Sequence, residues 1–164
     1  MNNYGGAGGG HGTASDTASD GITVRPLQRD DIHNGLLETL DALRPASAMS
    51  RERAERVMDT IMSDGNRLVA VAELGGKVVG TATVLFEAKL IHDGGVAGHI
   101  EDVAVRQEYQ KKGIGGMIVR YLLDAALKRG CYKTVLDCEN GLVDFYTDLG
   151  FKHTSNGMRY SHKG

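Results

Sequence analysis

The stretch His99-Ile100-Glu101-Asp102-Val103-Ala104-Val105 carries two carboxylates on an apolar run, and a basic glycine turn, Gln110-Lys111-Lys112-Gly113-Ile114-Gly115-Gly116, follows closely. A strand feeding such a turn at a helix start leaves backbone N–H groups unpaired, and the helix dipole adds partial positive charge there. That combination binds phosphate or pyrophosphate. Gly113 and Gly115 let the backbone approach an anion, and Lys111 and Lys112 add charge. A solvated turn into an ordinary helix has the same composition, so the turn by itself leaves both readings open. Two phosphate motifs are excluded. The dinucleotide fingerprint needs glycine where Ile118 stands, and Gly115-Gly116-Met117 lacks the Lys-Ser/Thr of a P-loop. Downstream, Asp137 closes an apolar run and Tyr146 opens a short helix. A tyrosine hydroxyl is a proton donor near neutral pH. Upstream, Lys89 and His92 stand in a polar segment, where lysine serves as a point-charge phosphate binder.

The elements that must position these groups follow from periodicity. Ile22 to Arg25 alternates as a strand that Pro26 ends. Asp30 and Asp31 open a helix carried by Leu36, Leu37, Leu40 and Leu43 and stopped by Pro45. Ala54, Val57, Met58, Ile61 and Met62 form a second amphipathic helix ending before Gly65, its methionines in the core. Arg67 to Leu74 and Lys77 to Leu85 read as a hairpin about Gly75-Gly76. Glu87 to Val96 reads as a polar loop, and His99 to Val105 as the next strand. A helix over Gly115 to Leu127 is capped by Gly130, followed by a strand over Tyr132 to Cys138. A short helix over Leu142 to Leu149 precedes two final strands, Phe151 to Thr154 and Met158 to His162. The expected fold is α/β: a mixed, mostly antiparallel sheet with a central parallel βαβ unit and helices on both faces. Ligands bind at strand C-terminal ends in such sheets, which puts Val105 to Gly115 at the mouth.

The chain has 164 residues, 41% hydrophobic and 24% charged, which suits one globular domain over 21–164. Residues 1–20, rich in Gly and Ser, are expected to be a disordered tail. A net charge of −2 with no basic block speaks against nucleic acid. No apolar run reaches membrane-helix length, and no secretory signal is seen at the start, so a cytoplasmic protein is expected. Cys131 and Cys138 match no zinc spacing and read as reduced thiols.

From Lys89 onward the chain resembles the glucosamine-6-phosphate N-acetyltransferases of the GNAT superfamily. The matching blocks are Lys89-Leu90-Ile91-His92, Gly98 to Val105, Tyr109-Gln110 with Gly113-Ile114-Gly115, Gly130 to Lys133 with Leu136-Asp137-Cys138, and Val143 to Tyr146 with Gly150-Phe151. The first 88 residues match only in element order. The resemblance implies the GNAT fold, acetyl-CoA as co-substrate, no metal, and direct attack of a sugar amine on the thioester. The product would be N-acetylglucosamine 6-phosphate, on the way to UDP-N-acetylglucosamine. It implies donor contacts from Val103, Ala104 and Val105 and from the turn Gln110, Lys111, Lys112, Gly113, Ile114, Gly115 and Gly116. The Val103 N–H would polarise the thioester, and Tyr146 would protonate the leaving thiolate.

For the acceptor, the resemblance implies that Asp137 orients the amine beside the Glu101 carbonyl and that Asp102 meets sugar hydroxyls. Lys89, Leu90, Ile91 and His92 would meet the sugar phosphate, with a C-terminal basic residue (Arg159, His162 or Lys163) reaching the neighbouring site of a homodimer. Two departures stand out: Leu142 where the family often has an asparagine, with Asn140 out of register, and Arg44 near a family threonine. Two other readings remain open: acetylation of a protein N-terminus, lysine or polyamine, and acyl-CoA binding without turnover.

Overall fold

A computed structural model of the protein describes residues 21–162. The expected tail and Lys163 lie outside them. Five strands form one sheet in the order β1 (Ile22–Pro26), β2 (Arg67–Leu74), β3 (Lys77–Ala88), β4 (Val96–Val105), β5 (Cys131–Val135). All neighbours are antiparallel except β4 and β5, which run parallel and are joined through the helix α4 (Ile114–Lys128). The β2–β3 turn forms at Gly75-Gly76, both at positive φ (55° and 76°), which glycine adopts without a steric cost.

Strand alternation sends side chains to two cores. Ala70, Ala72 and Val79 face α4, where they pack with Ile114, Ile118, Val119 and Leu122. Val71 and Val78 face the other way, onto Leu36 of α1 (Leu36–Leu40) and onto Ala54 and Met58 of α2 (Arg51–Ser63). The sheet is therefore covered on both sides, as alternation predicts.

Several expectations are corrected. The first helix is not continuous: a 3-10 turn (Arg29–His33) and α1 are separated by Gly35 at φ 101°, a conformation no helix interior accommodates. Met58 is buried, but Met62 is half exposed and lies outside the core. The polar loop shrinks, because β3 continues to Ala88 and β4 begins at Val96, leaving a connection over 89–95 that holds the four-residue turn α3 (Ile91–Gly94), with His92 and Asp93 at left-handed φ. The strand after α4 stops at Val135, where its pairing with β4 ends at His99. The final short helix is a 3-10 turn (Asn140–Leu142) running into α5 (Val143–Asp148). Phe151 to His162 forms no strand. Phe151 packs against the core, but Met158 and Tyr160 are almost fully exposed, so the end of that segment buries no apolar face within one chain.

Candidate active site

The site begins where β4 parts from β5 and bulges against β3. Its ladder with β5 covers only Val96 to His99, so the backbone from Ile100 onward has no β5 partner. Its ladder with β3 slips between Thr81 and Thr83, where Ala104 and Glu101 enclose the extra residue of a bulge. Asp102 sits in that bulge with φ 53°, rare for a residue with a side chain. The bulge and the lost ladder open a gap running from Glu101 along Val103, Ala104 and Val105 toward the α4 start.

At the far end of the gap, Lys111 (φ 61°) and Gly113 (φ 78°) turn the chain into α4. The first N–H to find an acceptor in the helix is that of Met117, bonding the Gly113 carbonyl at 3.1 Å, so Ile114, Gly115 and Gly116 present theirs outward. Gln110 Nε2 donates to the Val105 carbonyl at 3.0 Å, holding the turn against the strand end. Lys112 Nζ lies 5.1 Å from the Tyr109 ring centroid. Gly115 and Gly116 face α5: a Cβ at 115 would stand 3.4 Å from Phe145 Cζ, and one at 116 would stand 3.6 Å from Leu149 Cδ2 and 3.2 Å from Arg120 Nη1. Arg120 lies one helical turn beyond Gly116 and reaches back over it, as side chains on a helix lean toward its N-terminus. Sequence reasoning missed Arg120, although the i, i+4 spacing from Gly116 signalled it.

Tyr146 closes the gap from α5. Its ring is buried, edge-on to Phe145 (4.9 Å) and Phe151 (5.8 Å), and its hydroxyl makes no hydrogen bond among the described residues. Burial pushes that hydroxyl above the usual tyrosine value, and a charge on Cys138 would push it further. Cys138 and Asp137 follow β5, so the end of that strand and α5 converge here. Asp137 is exposed, and the C-terminal segment passes over it at Gly157, where a Cβ would stand 3.1 Å from Oδ1. Glu101 Oε1 lies 3.2 Å from His99 Nε2. His99 is a second missed neighbour; its i, i+2 spacing on a strand places both side chains on one face.

The expected phosphate residues are not brought to this gap. Lys89 through His92 occupy the β3–β4 connection ahead of Val96, roughly 16 Å of strand before Glu101, where the gap begins, at about 3.3 Å per residue. There Lys89 Nζ pairs with Glu87 at 2.5 Å, His92 stacks on Tyr132 at 4.3 Å, and Leu90 and Ile91 project outward. Arg159 lies exposed in the strandless C-terminal segment, Leu142 is nearly half exposed ahead of α5, and Arg44 is exposed after α1. Cys131 and Cys138 are both unpaired, and burial raises the Cys131 thiol above its usual value. Among the described residues no helix is long and apolar enough to cross a membrane.

Residues 30–151 match the acetyltransferase (GNAT) family. Glucosamine 6-phosphate N-acetyltransferase 1 of Oryza sativa subsp. japonica is 35% identical over 142 residues, covering 84% of this chain and 86% of that protein. Glucosamine 6-phosphate N-acetyltransferase of Arabidopsis thaliana is 33% identical over 138 residues, covering 82% and 93%. The crystal structure of glucosamine-6-phosphate N-acetyltransferase from Arabidopsis thaliana superposes with a TM-score of 0.83 at 32% identity, over 87% of this chain and 99% of that one.

Proposed function

This chain belongs to the acetyltransferase (GNAT) family, and from that premise we propose that it transfers the acetyl group of acetyl-CoA to the amine of glucosamine 6-phosphate. The products are N-acetylglucosamine 6-phosphate and CoA, a step toward UDP-N-acetylglucosamine. The observation that carries the reading is the gap between β4 and β5. It runs from two carboxylates to a glycine-started helix N-terminus and has a buried tyrosine at its side.

Acetyl-CoA lies along the gap with its pyrophosphate on the N–H groups of Ile114, Gly115 and Gly116. Lys111, Lys112 and Arg120 supply positive charge around it. Its pantetheine arm follows Val103, Ala104 and Val105. When Gln110 releases the Val105 carbonyl, that acceptor is free for the arm. The amine, oriented by Asp137 beside the Glu101 carbonyl, attacks the thioester carbon. The new C–N bond forms as charge gathers on the oxygen facing the Val103 N–H. The C–S bond then breaks, and Tyr146 gives its proton to the thiolate while the amine's surplus proton leaves to solvent. Burial keeps Tyr146 protonated through neutral pH, which suits a donor. Asp102, held in the bulge, meets sugar hydroxyls.

The sugar phosphate calls for the Lys89–His92 segment, which one chain holds far from its own gap. We read the protein as a homodimer in which that segment and Arg159 serve the neighbouring site. The exposed Leu90, Ile91, Met158 and Tyr160 support this reading, as they would be covered between two copies.

The test is release of CoA thiol from acetyl-CoA with glucosamine 6-phosphate, glucosamine, a peptide and spermidine as acceptors. The expected preference is for the phosphosugar; faster turnover of peptide, spermidine or unphosphorylated glucosamine would overturn it.

A further inference from the structure

Arg106 is the residue at which the chain leaves β4 for the donor turn, and its side chain runs away from that turn, across the sheet to α1. Its N–H donates to the Val79 carbonyl (2.9 Å), and its own carbonyl accepts from Tyr109 N–H (2.9 Å), so its backbone belongs to the start of the turn. Its Nε donates to Thr39 Oγ1 (3.2 Å), and Nη2 donates to the Gly35 carbonyl (3.2 Å). Glu38 and Glu108 each stand 3.9 Å from the guanidinium.

The partner side of this contact is built. Thr39 is fully buried, and its hydroxyl lies 2.8 Å from both the Gly35 and the Val78 carbonyls. Val78 N–H in turn donates to the Asn34 carbonyl (2.8 Å), so α1 is pinned to β3 from both of its ends. Gly35 breaks the predicted helix at the place the guanidinium enters: a Cβ there would stand 2.6 Å from Arg106 Nη2 and 3.2 Å from the Val78 carbonyl. The fold thus gives up helix continuity where Arg106 needs room and a carbonyl. α1 and α4 cover opposite faces of the sheet, so Arg106 is a tie between the turn that opens α4 and the helix on the other side. Between them lies an open cleft of about 580 Å³ bounded by Glu38 and Asp41 on α1's side and Gln107 and Gln110 on the turn's side.

We propose that Arg106 is a positioning residue for the donor, a brace that sets the 107–113 turn against α1 and so aims the α4 N–H groups at the pyrophosphate. It touches no reacting atom. Losing it leaves the chemistry of the gap intact and lets the turn drift, which weakens donor binding before it slows transfer. A lysine cannot replace it, because only the planar fork reaches both the Thr39 hydroxyl and the Gly35 carbonyl.

The proposal rests on the reading that the 110–116 turn holds acetyl-CoA, and its test keeps the two apart. CoA binding is measured by calorimetry without any acceptor, and acetyl-CoA KM and kcat are measured with saturating acceptor, for wild type, Arg106→Ala, Arg106→Lys and Thr39→Val. Arg106→Ala is expected to weaken CoA binding and raise the acetyl-CoA KM by about tenfold, with kcat within about twofold. Thr39→Val should move the same quantities by less, and Arg106→Lys should rescue poorly. The double variant should bind CoA about as well as Arg106→Ala alone, since the Thr39 hydroxyl meets the turn through the Arg106 side chain. Unchanged CoA affinity in Arg106→Ala and Thr39→Val, even with a lowered melting temperature, would show a merely structural tie and overturn the proposal. A wild-type protein that binds no CoA would overturn the donor-turn reading first, and this one with it.

Discussion

Gly80 on β3 and Ile118 on α4 meet with no room for another carbon: a Cβ at 80 would stand 2.7 Å from Ile118 Cδ1 and 3.0 Å from Ile114 Cγ2. Gly80 is also the register partner of Val105, the last residue of β4 before the donor turn. The absent side chain therefore sets how closely the N-terminal half of α4 seats on the sheet, and with it where the helix's free N–H groups point. Gly80→Ala should destabilise the fold by about 1–3 kcal/mol through overpacking and weaken CoA binding. Adding Ile118→Val removes the clashing Cδ1 and should restore much of both; chemical denaturation and calorimetry read the two quantities.

Tyr146 offers a separable test of the leaving-group role. Its hydroxyl bonds to nothing among the described residues, so Tyr146→Phe should leave the melting temperature nearly unchanged. It should lower kcat by about 10²-fold. Burial first, and then Cys138, hold its ionisation above the usual tyrosine value of about 10. The donor form therefore persists through neutral pH, and any alkaline fall in kcat belonging to this group lies above pH ~10. An unchanged kcat in Tyr146→Phe would remove the assignment.

Arg120 should act on the donor's phosphates alone. Arg120→Ala is expected to raise the KM for acetyl-CoA by about tenfold, the scale of one charge-assisted hydrogen bond. The KM for acetyl-pantetheine, which carries no phosphate anhydride, should stay where it was. Equal effects on both donors would place Arg120 outside the phosphate site.

The proposed service of Lys89 to the neighbouring copy's site makes the dimer testable by mixing. Lys89→Ala and Tyr146→Phe should each be poor at low glucosamine 6-phosphate. Co-refolded in equal amounts, they should recover roughly a quarter of wild-type activity, because half the dimers then hold one intact site. Activity that stays at the mean of the two parents would argue that each chain works alone.

Acid stability is set far from the gap. Arg25 grips Asp31 through Nη1 and Nη2 (2.8 and 2.7 Å), while Asp31 also accepts the Gln28 N–H. Burial pushes the Asp31 carboxyl up, but the Arg25 hydrogen bonds, the Gln28 N–H and the Arg25 charge together hold it below its usual value. A carboxyl lowered on folding stabilises the protein above its unfolded value and loses that contribution as pH falls through the folded one. Unfolding free energy should therefore drop below about pH 4, and Asp31→Asn should flatten that slope. Removing the carboxylate outright, in Asp31→Ala, should cost about 3 kcal/mol at neutral pH, since it strips a buried partner from Arg25.

The sequence by itself determined what nearest neighbours along the chain decide. Gly75-Gly76 specified a tight hairpin, the apolar period after Gly113 specified α4 and the glycine turn at its start, and the blocks around Glu101, Asp102, Asp137 and Tyr146 carried the family. Contacts between distant residues decided the rest. Gly35 looks like a tolerable helix glycine until Arg106, 71 positions on, takes the space its side chain would need. Phe151 to His162 looks like two strands, but Phe151 packs against the core while Met158 and Tyr160 stay exposed, and the segment pairs with no strand of its own chain. Lys89 and His92 look like acceptor ligands of the same gap, yet they stand in the β3–β4 connection, ahead of the strand whose later half borders the gap. Spacing along a strand is legible in sequence. Which end of which strand a second group occupies depends on how the sheet is assembled, and that is tertiary.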